Sequence, residues 1–168
     1  AALSLSQLQF PVQTLAILIV KIRQVLSSTT PLGGRISPDG RRIAVIRRVL
    51  ADGAARDQIW LMPYDEGELT PLTPALDEIN DFEWNPDGRG LVYIHRVEKD
   101  MRSIAEVDTT GKVREILKGE TGPISGVQVL ADNRILITNS DGSEFFGMDR
   151  AGRAQARWKI PAWAVSFT

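Results

Sequence analysis

The stretch Arg35-Ile36-Ser37-Pro38-Asp39-Gly40-Arg41-Arg42-Ile43-Ala44-Val45-Ile46-Arg47-Arg48 decides how this chain is read, because weaker copies of it return twice. Ser37, Pro38, Asp39 and Gly40 suit the four positions of a type I turn: a small polar residue, Pro to preset φ, Asp, then Gly where φ turns positive. A short strand enters this turn and a longer apolar strand leaves it. The second copy reads Asp81-Phe82-Glu83-Trp84-Asn85-Pro86-Asp87-Gly88-Arg89-Gly90-Leu91-Val92-Tyr93-Ile94, with Asn85 in the role of Ser37. The third, Gly126-Val127-Gln128-Val129-Leu130-Ala131-Asp132-Asn133-Arg134-Ile135-Leu136-Ile137, lacks the Pro and puts Asn133 where Gly stood. Asn tolerates the left-handed conformation better than most residues.

Pro38 and Pro86 are 48 residues apart, and Asp87 and Asp132 are 45 apart, close to the length of one four-stranded propeller blade. Each copy continues in the same order. The apolar runs Ile43–Ile46, Leu91–Ile94 and Ile135–Ile137 lack polar alternation, as strands covered on both faces do. A third strand follows at Gln58–Met62, Ser103–Val107 and Glu144–Met148, ending in Asp65 with Gly67, Asp108 with Gly111 and Asp149 with Gly152. These pairs read as hairpin turns into more polar fourth strands, Glu68–Thr73, Lys112–Lys118 and Arg153–Lys159. Pro71 is compatible with a strand only at a sheet edge, which the outermost strand of a blade is. The expected fold is therefore all-β: a partial propeller of three four-stranded antiparallel blades over about 34–75, 79–118 and 124–159. A further strand is expected at 162–167, within a domain spanning 34–168.

The chain of 168 residues is 43% hydrophobic and 24% charged, ordinary values for a folded protein. A net charge of −1 argues against a general nucleic-acid binder. Having no Cys, the chain has no disulfide, thiolate metal site or Cys nucleophile.

Residues 1–20 carry no charge, and Leu15, Ala16, Ile17, Leu18, Ile19 and Val20 form an unbroken apolar run, followed at once by Lys21 and Arg23. A secretory signal has its positive charges before the apolar run, so this order is wrong for one. The segment 1–26 is expected to be a helix that anchors the chain in or on a membrane, or docks on a partner or on the open face of the sheets. If it spans, Lys21 and Arg23 place the following domain on the cytoplasmic side. Residues 27–33, rich in Ser, Thr, Pro and Gly, form the linker.

Taken together, the strand, Ser/Asn-Pro-Asp-Gly turn, apolar strand, Ile-Trp strand, Asp-x-Gly turn and polar strand resemble the WD40-like repeats of TolB-type β-propellers. Similar repeats occur in propellers attached to prolyl-oligopeptidase-like hydrolases. The resemblance covers about residues 34–168 and is clearest in the first two copies. It implies a fold whose relatives have six or seven blades and act mostly by protein–protein contact, or as gates on an attached hydrolase. TolB itself is a periplasmic binding protein, which implies the periplasm where this likeness decides. No binding residue of the family maps onto a position here, since turn and core chemistry is what matches. Three blades and one strand fall short of the 4 to 8 or so of a closed ring. Both end blades are then expected to present apolar faces for unseen chain, a second copy, another subunit or the N-terminal helix to cover.

Candidate sites are few. His95, the single histidine, sits at the end of an apolar strand, and no Gly-x-Ser-x-Gly elbow supplies a nucleophile; Ser125 in Gly122-Pro123-Ile124-Ser125-Gly126 misses that spacing by one place. Asn139-Ser140-Asp141-Gly142-Ser143-Glu144 reads better as a hairpin turn than as a calcium loop, because its donors run out. Asp77, Glu78, Asp81 and Glu83 are expected on a solvated loop or at a channel mouth. Arg35, Arg41, Arg42, Arg47 and Arg48 flank the first hairpin; the last four are candidate contacts for an acidic partner or for lipid headgroups, or guards of a strand edge. Trp60, Trp84, Trp158 and Trp163 are expected in the core. The reading is a non-enzymatic scaffold subunit, without cofactor or small-molecule substrate, that docks on protein subunits of a membrane-associated complex. The alternative is the propeller portion of a larger TolB-like binding protein or hydrolase.

Overall fold

The computed structural model describes residues 33–65, 67–121, 124–139 and 141–159. They form three antiparallel four-stranded sheets, each a simple meander. The first contains β1 (Gly33–Ile36), β2 (Arg42–Ala51), β3 (Ala54–Pro63) and β4 (Thr70–Pro71). The second contains β5 (Ile79–Trp84), β6 (Gly90–Glu98), β7 (Met101–Asp108) and β8 (Val113–Thr121). The third contains β9 (Ile124–Val129), β10 (Ile135–Asn139), β11 (Glu144–Met148) and β12 (Ala154–Lys159). The anticipated anchor helix at 1–26, the linker apart from Gly33, and the strand at 162–167 with Trp163 lie outside the described residues. Among the described residues, no helix is long and apolar enough to cross a membrane.

The repeated turn forms as its residues dictate. Gly40 N–H donates to the Ser37 carbonyl, Gly88 N–H to that of Asn85, and Asn133 N–H to that of Leu130, at 2.9, 2.8 and 2.8 Å. The three closing residues have φ of 70°, 68° and 66°, so Asn133 adopts the left-handed conformation that Gly takes in the other copies. Pro71 lies on the edge strand β4, which is only two residues long. Beyond it Thr73 keeps the chain against β3: its Oγ1 accepts from Ile59 N–H at 3.0 Å, and its carbonyl accepts from Gln58 Nε2 at 2.7 Å.

Alternation within the middle sheet explains the stacking. Leu91, Tyr93, Ala105 and Val107 face the first sheet and join Ala44, Ile46, Ile59, Leu72, Ile79, Phe82 and Trp84 in one core. Val92, Ile94 and Ile104 point the other way and join Ile124, Val127, Ile135, Ile137 and Met148 in a second core. Leu91–Ile94 is thus apolar throughout because both of its faces are covered. Two glycine turns bring the sheets close. A Cβ on Gly152 would lie 2.3 Å from the Ile116 carbonyl oxygen of the second sheet, and one on Gly111 would lie 3.5 Å from the Leu72 carbonyl oxygen of the first.

Candidate interaction surface

The meanders set two rims. One collects the β1–β2, β5–β6 and β9–β10 turns with the β3–β4, β7–β8 and β11–β12 turns; the other collects the β2–β3, β6–β7 and β10–β11 hairpins with the connectors between sheets. On the first rim, Arg150 of the third sheet reaches into the second. Its Nη2 donates to Asn85 Oδ1 at 2.8 Å, its Nε to the Asn133 carbonyl at 2.9 Å, and its Nη1 lies 3.5 Å from Glu106 Oε1. Burial pulls this guanidinium below its ordinary pKa while Glu106 opposes the shift. Asn85 Nδ2 in turn donates to Glu106 Oε1 at 3.0 Å. The turn carboxylates are held below the usual range, chiefly by the Ser37 hydroxyl at Asp39, the Thr110 hydroxyl at Asp108, the Arg134 side chain at Asp132 and the Arg153 N–H at Asp149.

The four candidate arginines divide. Arg41 is exposed on the first rim, its N–H donating to Asp39 Oδ1 at 3.1 Å. Arg42 Nη1 donates across sheets to the Gly88 carbonyl at 3.1 Å. Arg47 and Arg48 lie on the part of β2 beyond Ile46, which pairs with β3 among the described residues. The Arg47 guanidinium stacks 4.8 Å from the Trp60 ring centroid, and Arg48 Nε donates to Asp57 Oδ1 at 3.0 Å. Arg41 therefore keeps the freest access to a partner, while Arg42, Arg47 and Arg48 engage their own chain. The anchor residues Leu15, Ile17, Leu18, Ile19, Val20, Lys21 and Arg23 lie outside the described residues.

The acidic set divides: Asp77, which is exposed, and Glu78 lie on the loop that leads into β5, as expected, whereas the other two do not. Asp81 and Glu83 lie on β5, where Arg35 Nη2 donates to Asp81 Oδ1 at 3.0 Å and Arg35 Nη1 sits 2.9 Å from Glu83 Oε2. Asp81 Oδ2 accepts from Val127 N–H at 2.9 Å, so one carboxylate ties together the first strands of all three sheets. Asp77 pairs with Arg56, and Glu78 pairs with Arg96 at 3.0 Å. Asp57, only 1% exposed, was not singled out from sequence. Besides Arg48, it accepts from Ile79 N–H through Oδ2 at 3.1 Å and ties β3 to the first residue of β5.

His95 is 8% exposed, and burial draws its pKa below the ordinary value. Its ring tilts against Tyr93 with centroids 5.6 Å apart, and its Nδ1 has no hydrogen-bond partner. Residues 139–144 make a hairpin turn, with Gly142 N–H donating to the Asn139 carbonyl at 3.0 Å and Glu144 N–H to Asn139 Oδ1 at 2.9 Å. Among the described residues, no group of three His, Cys, Asp or Glu is arranged to hold a metal ion.

Among the described residues, two sheet faces lack a neighbouring sheet. On the far side of the first lie Ile36, Ile43, Val45, Trp60 and Met62; Val45 and Met62 are buried, Ile43 and Trp60 half-buried, and Ile36 exposed. On the far side of the third lie Leu136, Phe145, Gly147 and Trp158. The Trp158 ring covers Gly147, whose Cβ would sit 3.1 Å from Trp158 Cη2. Trp84 meets the expectation of a core residue, but Trp158 stands half in solvent, with no sheet of the described residues over it.

Backbone comparison with solved structures gives this arrangement its context. The chain is similar to a TolB of Agrobacterium tumefaciens over 76% of its length, at 22% identity and a TM-score of 0.59, covering 45% of that protein. It is similar to the β-propeller domain of the Trilobed protease from Pyrococcus furiosus over 74%, at 18% identity and a TM-score of 0.54, covering 41%. For TolB from Acinetobacter baumannii the figures are 76%, 16% and 0.57, covering 32%. The three sheets resemble propeller blades. No protein-family model matches the sequence, and no curated protein does. The chain spans less than half the length of each of these three structures. The three sheets run over 33–71, 79–121 and 124–159.

Proposed function

We propose that this chain is a partial propeller acting through protein–protein contact, a scaffold subunit without catalysis of its own, held at a membrane or membrane complex by its N-terminal segment. The observation that carries the reading is the pair of end faces, each with apolar side chains left uncovered by any blade among the described residues. Burial of those faces supplies the association energy, and rim groups such as Arg41 supply specificity. The single histidine supports a non-catalytic reading, since it is buried against Tyr93 with its Nδ1 unpaired. The domain sits on the cytoplasmic side if residues 1–26 span, and in the periplasm if the likeness to TolB extends to location.

Cell fractionation tests the anchor. The full chain is expected in the membrane fraction or in a stoichiometric complex, and a chain beginning at Ser27 is expected to leave it; undiminished association of the shorter chain counts against the anchor. A second reading, the propeller portion of a larger binding protein or hydrolase, is favoured by the small share of its structural relatives that the chain spans. A native polypeptide mass well above 18.6 kDa would support it.

A further inference from the structure

We propose that His95 is a pH-operated catch: it lets the first blade rest on the second at the second rim, that of the β2–β3 and β6–β7 hairpins, and releases it when the imidazole takes up a proton. In the strand register His95 of β6 stands between Ile79 of β5 and Ser103 of β7. By alternation it shares the side of Leu91 and Tyr93, which faces the first blade. Its neighbour Ile79 carries the contact between blades at this rim. Ile79 N–H donates to Asp57 Oδ2 of β3 at 3.1 Å, and Asp57 exchanges backbone bonds of 2.7 and 2.8 Å with Leu76 of the connector. The ring thus stands beside the residue on which the tie hangs. It is 8% exposed, and its Nδ1 has no hydrogen-bond partner.

A neutral imidazole tolerates such a site, whereas the charged ring presents two N–H donors and a charge that burial penalises. The charged groups around it are committed elsewhere. Across the interface, Asp57 gives Oδ1 to Arg48 and Oδ2 to Ile79 N–H. In the connector Asp77 pairs with Arg56, and Glu78 lies 3.0 Å from Arg96 and 3.7 Å from Arg102. On β7, Ser103 Oγ accepts from Gly119 N–H at 3.0 Å. Tyr93 stays neutral, its pKa pushed up to about 12 by burial. Burial is the largest influence on His95 and disfavours its charge, while the Arg96 backbone and Glu115 of β8 favour it. Glu115 is exposed, so solvent screens its pull. Closure is therefore full above about pH 6.5 and weakens as pH falls. Water reaches the charged ring once the β2–β3 hairpin and its connector lift, which bares Ile59 and Ile79, 0% and 4% exposed when closed. At the first rim no histidine takes part. There Arg42 Nη1 donates to the Gly88 carbonyl and Trp84 Nε1 to the Arg35 carbonyl, both at 3.1 Å, and these bonds form the hinge.

Hydrogen exchange followed by NMR on the full chain, corrected for the intrinsic effect of pH on exchange, tests the catch. Between pH 6.5 and 5.5 the protection of the Asp57, Leu76 and Ile79 amides is expected to fall by up to about fivefold. The Trp84 indole N–H, at the hinge, and the Val127 amide, which donates to Asp81 Oδ2 between the second and third blades, are expected to keep theirs. His95→Gln and His95→Leu, neither of which titrates, are each expected to abolish the fall; two variants guard against one that disturbs the fold, which circular dichroism checks. As the chain has one histidine, its Cε1 proton resonance reports the ring directly and should shift over the same pH range as the loss of protection. An equal loss at all five sites overturns the proposal, because it marks general destabilisation. So does a loss that survives in a folded variant, or a ring that titrates while the three amides stay protected.

Discussion

Asp57 buries a carboxylate under Arg48 and gives its second oxygen to the Ile79 N–H. Replacing it by Ala leaves that buried donor without a partner, so Asp57→Ala is expected to cost about 3 kcal/mol in urea unfolding. Arg48→Ala keeps that N–H bonded but strips a buried carboxylate of its counter-ion, so it is expected to destabilise by a comparable amount, about 3 kcal/mol. Asp57 was legible in principle, as a charge on the core-facing side of β3 directly across from Arg48. His95 permits a pH test. Burial lowers its folded pKa, so the unfolded state binds the proton more readily; the stability contribution is full above about pH 6.5 and is lost as pH falls through the folded value. Thermal melts from pH 7.5 to 5 should show falling stability, and His95→Gln should flatten that slope. An unchanged slope in the variant would assign the effect elsewhere. The turn carboxylates are held low and titrate below this window, so the two effects separate.

At the scale of the strand and turn, glycine serves two purposes that unfolding experiments can tell apart. Gly142 and Gly152 both have positive φ, 71° and 77°. A Cβ on Gly142 meets nothing, whereas one on Gly152 strikes the Ile116 carbonyl of the neighbouring blade. Gly142→Ala is expected to cost about 1 kcal/mol, the penalty for a left-handed non-glycine residue. Gly152→Ala should cost on the order of 3 kcal/mol, because the turn must also back away from the second blade; equal costs would mean that the close approach does not matter. The turn chemistry was readable from sequence, since Pro, Asp, Gly and Asn each carry a local conformational preference. The contacts between blades were not. Arg150 gripping Asn85, and Asp81 tying three inner strands, depend on how sheets stack, which no local preference encodes. A short β4 was likewise hidden, since the side chain of Thr73, not the strand ladder, holds that segment.

For the molecule as a whole, the charge-free N-terminal run and the domain are separable in the test with the Ser27-start chain: loss of membrane association with the β spectrum intact is the expected outcome. Among the described residues the second blade is covered on both sides, and the first and third on one side each. The chain then behaves as a short stack whose outer layers peel before its centre gives way. Amide hydrogens of Val92–Ile94 should exchange with deuterated solvent most slowly, and those of Ala44–Ile46 and Ile135–Ile137 sooner. Whatever seats itself against the outer layers would even out that gradient, so the exchange profile doubles as a sensor of occupancy.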